Sequence, residues 1–201
     1  MILTERITDL PGNDYLLVKE QNNVIYTTRY IPKDACILLV DPDCFFIDEA
    51  TAYLKDDEMQ IKEAVYQHAA AIVETVRLLK AKGHEIAMTH AIQPFPGLEP
   101  LVDVHLPNWE VKSNADTEFQ LHPEIIKYAA GKTIIVGGVW KQLCVFHVSR
   151  LLQQQYMDEV RLFNGDLLKI PYEYTMTSED ISDDYTLKDA CEEYGMMMKL
   201  I

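Results

Sequence analysis

The stretch Thr133-Ile134-Ile135-Val136-Gly137-Gly138-Val139-Trp140-Lys141-Gln142-Leu143-Cys144-Val145 decides the fold. A β-branched apolar run meets a glycine pair, and an amphipathic helical pattern begins near a cysteine. This pattern predicts a buried strand, a tight turn and a helix whose first turn carries Cys144. A thiol there sits at the positive end of the helix dipole, which favours the thiolate. A free cysteine is also a common core residue, so this stretch alone leaves Cys144 between nucleophile and packing.

Working outward, Ala35-Cys36-Ile37-Leu38-Leu39-Val40 is a second continuous apolar run, and Asp41 ends it. Such runs suit strands buried on both faces of a parallel sheet. Pro42 stops the strand, and Phe45, Phe46 and Ile47 read as an apolar cluster in the following loop. Asp56-Asp57-Glu58 opens a long helix whose stripe is Ile61, Val65, Ala69, Ile72, Val76 and Leu79; Lys80, Lys82 and Gly83 close it. Residues 85–89 form a second strand and residues 94–107 a proline-rich loop. Residues 108–112 form a third strand with Lys112 at its end, and His122-Pro123-Glu124 starts a short helix. After Cys144, the positions Val145, Val148, Leu152 and Tyr156 mark an apolar helix face. Residues 160–163 are a further strand, followed by a helix around 185–194 and a terminal strand at 196–201.

Strands alternating with helices predict a three-layer α/β domain over residues 35–201, an αβα sandwich on a mainly parallel sheet of five or six strands. Residues 1–34 read as an N-terminal extension: Tyr15-Leu16-Leu17-Val18 and Val24-Ile25-Tyr26-Thr27-Thr28 flank Asn22-Asn23, which suits a β-hairpin.

A chain of 201 residues buries a core without covalent staples. Its 18 basic and 32 acidic residues give a formal net charge of −14, which argues against nucleic-acid and anionic-membrane partners. The four cysteines, at 36, 44, 144 and 191, form no C-x-x-C pair and no zinc spacing with histidine. No signal-peptide pattern opens the chain and no apolar run approaches the ~20 residues of a membrane helix, so a cytoplasmic protein with reduced thiols is expected.

Asp41, Lys112 and Cys144 thus stand at or just beyond the C-terminal ends of three expected strands, on the edge where open α/β sheets bind ligands. Cys144 can attack a carbonyl carbon, and Asp41 can take the thiol proton and return it to a leaving amine. Lys112 can hold the charge balance, and backbone N–H groups of Leu143 and Cys144 can stabilise an oxyanion. Taken singly, an Asp after a strand is often a turn cap and a Lys there is often solvated.

These segments resemble the isochorismatase-like cysteine hydrolases, a Rossmann-like family that includes nicotinamidases and related amidohydrolases. Ile37-Leu38-Leu39-Val40-Asp41 with Phe46 is similar to that family's first strand and catalytic aspartate. Val111-Lys112 with Phe119 is similar to its lysine segment, and Ile134-Ile135-Val136-Gly137-Gly138-Val139 with Cys144-Val145 to its nucleophile segment. The resemblance implies a triad of Asp41, Lys112 and Cys144, a non-proline cis peptide in the turn around Val139-Trp140-Lys141, and a homo-oligomer. It also implies hydrolysis of a small amide, ureido or related C–N bond through a thioester.

Departures narrow this. The nicotinamidase Asp-x-His metal motif corresponds to a run in which Ala91 and Gln93 fill the ligand positions, so no metal and no cofactor is expected. The vinyl-ether-cleaving isochorismatases generally lack the cysteine, so Cys144 favours C–N bonds. Trp140 and Lys141 replace smaller residues in the nucleophile turn, and with Phe46 and His90 they are the candidate substrate-pocket residues. The competing expectation is a catalytically silent member that binds or regulates.

Overall fold

The computed structural model describes residues 4–9, 14–21, 24–50, 52, 59–111, 120–140, 144–155, 160–163 and 168–170. Three N-terminal strands, β1 (Thr4–Asp9), β2 (Asp14–Gln21) and β3 (Val24–Pro32), pair antiparallel in that order. Asn22-Asn23, between β2 and β3, lies outside the described residues. After them come β4 (Ala35–Val40), α1 (Cys44–Ala50), α2 (Met59–Ala81), β5 (Ile86–Met88) and β6 (Val104–His105). The chain continues with β7 (Glu110–Val111), β8 (Gln120–Leu121), α3 (Pro123–Ala129), β9 (Lys132–Trp140), α4 (Cys144–Gln155), β10 (Val160–Phe163) and β11 (Lys169–Ile170).

An α/β fold results, as the alternating pattern predicts. The order β10-β9-β4-β5-β6 is parallel throughout, and β11 also pairs with β9. Because β4 and β9 are apolar runs buried over most of their length, they occupy the centre: Ile37, Leu38, Leu39, Val40, Ile134 and Ile135 all have no exposed surface. Alternate residues feed two cores. Ile37, Leu39, Ile86 and Ile135 pack with Val65, Ala69, Ile72, Val76 and Leu79 of α2. Leu38, Val40, Ala87 and Ile134 pack with Ile125 and Ala129 of α3 and with Val145, Val148 and Leu152 of α4. Helices therefore cover both faces.

Several elements differ from the sequence-based expectation. Gly137 and Gly138 lie inside β9 rather than in a turn. Gly138 takes φ +147, and a Cβ there would sit 2.1 Å from the Val40 carbonyl oxygen. The glycine is thus a close-approach residue of the β4–β9 pair. Phe45 and Ile47 belong to α1, which Asp43 caps: its Oδ1 accepts from Phe45 N at 2.9 Å. The proline-rich loop contains a 3₁₀ turn (Glu99–Leu101) and the sheet's edge strand β6. The strand before Lys112 is not in the parallel sheet: β7 pairs antiparallel with β8 in a separate ribbon. The helix start at 56–58, Tyr156 and everything after Ile170, including the expected terminal helix and strand, lie outside the described residues.

Candidate functional site

Val40 pairs with Gly138, so the C-terminal ends of β4 and β9 lie side by side. Asp41 follows one strand, and Cys144 opens the helix that follows the other. The chain after β4 turns sharply: Asp41 adopts φ +47, the left-handed region that a non-glycine residue enters only when its surroundings hold it there. Thr89, fully buried just past β5, supplies much of that hold. Its Oγ1 accepts from Asp41 N at 2.9 Å and donates to Asp41 Oδ1 at 3.3 Å. Trp109, buried in the segment before β7, donates from Nε1 to Asp41 Oδ2 at 2.8 Å. On its other side the indole lies parallel to the His147 ring, with centroids 6.4 Å apart.

The Cys144 thiol lies close enough to the Asp41 carboxyl for each to shift the other's titration. Burial pushes Asp41 above its ordinary range, and the Asp43 charge adds to this; hydrogen bonds from Cys144, Trp109 and Thr89 pull it back. Burial also pushes Cys144 well above the ordinary thiol value, and the Asp41 charge and hydrogen bond push it further. The backbone N–H at the helix start opposes these influences but is the smaller effect. Cys144 therefore rests as a neutral thiol beside the Asp41 carboxyl group. This runs against the expectation that the helix N-terminus favours a thiolate: burial and the adjacent Asp41 charge raise the thiol more than the backbone N–H of Cys144 lowers it. Proton transfer within the pair, rather than a standing thiolate, is what this arrangement can support.

Asp43, two residues on, has a different task. It is fully buried, and its carboxylate accepts from the backbone N–H groups of Phe45, Ile92 and Gln93. The Cys44 N–H in turn donates to the Gln93 carbonyl at 2.8 Å. The segment carrying Ala91 and Gln93 is thus fastened to the start of α1 through its backbone. Among the described residues no three His, Cys, Asp or Glu side chains cluster where a metal ion could be held.

The other expected site residues fall out as follows. Lys112, Lys141 and Leu143 lie outside the described residues. Trp140 is the last residue of β9, paired with Ile170 of β11, and Phe46 lies in α1. His90 is exposed and lines a cleft of about 490 Å³ with Met88, Phe95, Glu99, His105 and Leu106. Neither Asp41 nor Cys144 lines that cleft, but it begins on both sides of Thr89, the residue that holds Asp41. Among the described residues no peptide bond is cis, and no helix is long and apolar enough to cross a membrane. Cys44, near Asp41, is buried and its thiol is pushed up to about 11, chiefly by burial.

Thr89 and Trp109 are the residues that sequence reasoning passed over. Thr89 carried a usable signal, since it stands past a strand end as Asp41 does. Trp109 carried a weaker one: a buried indole N–H needs an acceptor, but sequence does not say which.

Comparison with family models, with curated proteins and with solved structures finds no match in any of the three.

Proposed function

We propose that the chain is a cysteine-dependent hydrolase of a small amide, ureido or related C–N bond. The observation that carries this is the placing of Asp41 and Cys144 together at the ends of adjacent parallel strands, with the carboxyl group buried and anchored through both oxygens. In the proposed reaction Asp41 accepts the thiol proton as Sγ attacks the acyl carbon. Backbone N–H groups at the start of α4, at Leu143 and Cys144, stabilise the oxyanion. Protonated Asp41 gives its proton to the departing amine, leaving a thioester and a carboxylate. Asp41 then deprotonates a water, which hydrolyses the thioester and returns the proton to sulfur. Lys112 supplies the positive charge that this pair needs; among the described residues, the charges that act on the pair are anionic, Asp43 on Asp41 and both Asp41 and Glu110 on Cys144.

The proposal includes the finer architecture: an isochorismatase-like three-layer αβα sandwich with an N-terminal hairpin extension, forming a cytoplasmic homo-oligomer. The cleft beside Thr89, with His90 on its wall, is the proposed approach for a small-molecule substrate, and Phe46, Trp140 and Lys141 are proposed substrate-pocket residues. A second reading, a catalytically silent binding protein, draws support from one observation: the cleft is not lined by Cys144.

The test is amine or ammonia release from a panel of small amides and ureido compounds. Turnover lost in Cys144→Ala and in Asp41→Asn is expected. No turnover of any compound by the intact protein, with a ligand bound in the cleft, would favour the silent reading.

A further inference from the structure

Trp109 and Thr89 act on one carboxylate from its two different oxygens, and their chemistry is unequal. The Trp109 indole, at 2.8 Å from Oδ2, can only donate. The Thr89 hydroxyl, at 3.3 Å from Oδ1, can donate or accept. A carboxylate that gains a proton becomes one carbonyl oxygen, a good acceptor, and one hydroxyl, a donor. A donor-only neighbour favours the carbonyl on its own side. Thr89 can rotate its hydroxyl and accept from a proton on the other oxygen.

We propose that Trp109 is a positioning residue that keeps Asp41 Oδ2 an acceptor and so directs the proton exchanged with Cys144 to Oδ1. The inference rests on Asp41 being the base for Cys144. In the step, the S–H bond breaks, an O–H bond forms at Oδ1, and the electron pair stays on sulfur. The indole is itself held, stacked on His147, which Phe146 meets edge-on at 5.8 Å. The titratable and charged groups around the pair are Cys144 from α4, Asp43 from Asp41's own turn, and Glu110, which acts on Cys144; His147 stacks on the indole, and the Arg150 charge acts on His147.

The experiment follows alkylation of Cys144 by iodoacetamide from pH 5 to 9, resolved by peptide mass spectrometry, in the wild type, Trp109→Phe and Asp41→Asn. While the pair shares one proton, the thiolate tautomer is a fixed fraction and the rate is independent of pH. Removing a hydrogen bond from the charged carboxylate raises its proton affinity by about one pH unit. Trp109→Phe should therefore raise the plateau about tenfold and move its acid edge up by about one pH unit. In parallel, the Trp109 indole N–H resonance in the wild type should shift at the same acid edge and stay flat in Asp41→Asn.

An unmoved profile in Trp109→Phe, or an indole resonance that ignores the edge, overturns the inference. Should Trp109→Phe not fold, the indole titration of the wild type decides. A wild-type profile with no plateau removes both the base role of Asp41 and this inference. A plateau with a coupled indole upholds the inference even where no amide is hydrolysed, a result that counts against the hydrolase alone.

Discussion

Replacing Gly138 by alanine tests whether the close approach of β9 to β4 builds the site. The added Cβ would lie 2.1 Å from the Val40 carbonyl oxygen and 3.0 Å from Val145 Cγ2, at φ +147. A carbon and a carbonyl oxygen in contact sit about 3.3 Å apart, so the strands must part locally by about 1 Å. Two flanking ladder hydrogen bonds are weakened at about 0.5–1.5 kcal/mol each. The backbone conformation adds about 1–3 kcal/mol. The sum, about 2–6 kcal/mol, is a large share of a typical stability of about 5–15 kcal/mol. Gly131→Ala is the control: φ is +72, nothing lies within 4 Å of its Cβ, and about 1 kcal/mol is expected. Urea unfolding followed by circular dichroism compares the two. Because Val40 precedes Asp41, Gly138→Ala should also abolish the pH-independent alkylation of Cys144. A Gly138→Ala protein within about 1 kcal/mol of Gly131→Ala would refute the close-approach account.

Asp41→Asn should stabilise the protein at neutral pH. Burial raises the native Asp41 above its ordinary value of 3.8, so its favourable contribution is present below that value and is lost as pH rises through the native one. Asparagine removes the buried charge and tolerates the positive φ. Thermal unfolding should show a higher midpoint for the variant at pH 7 and none of that advantage below about pH 4; a lower midpoint at pH 7 contradicts the burial argument. Asp43→Asn should cost about 1–3 kcal/mol, because one of three backbone N–H donors loses its acceptor, and chemical denaturation reads this directly. Leu38→Ala, at a fully buried site between strands and helices, should cost about 2–5 kcal/mol in the same assay. Cys44, with its thiol near 11, should alkylate at pH 8 more slowly than a free cysteine, measured by peptide mass spectrometry.

The central elements were legible because their signals are long. β4 and β9 are built on continuous apolar runs, and α2 and α4 carry apolar stripes whose members Val65, Ala69, Ile72, Val76, Leu79, Val145, Val148 and Leu152 are buried. β6, β7 and β11 have two residues each, too few for any periodicity, so the sequence reads β6 as loop, places β7 in the parallel sheet and gives no sign of β11. α1 is seven residues and rests on the Asp43 cap, a single position. The glycine pair was read as a turn because sequence does not distinguish a glycine needed for φ from one needed for space. In the site, the strand-end rule found Asp41 and Cys144. It could not find Trp109, whose indole reaches Asp41 across 68 positions of sequence, nor reveal that burial raises the thiol.

The central claim is that Cys144 forms an acyl bond with help from Asp41. Acid-quenching the protein during incubation with small amides, then mapping peptide masses, tests it most directly. The account predicts an acyl-mass adduct on the Cys144 peptide that is absent in Cys144→Ala. An amine released at an undiminished rate from Cys144→Ala, or an adduct on Cys36 or Cys44 instead, would contradict it.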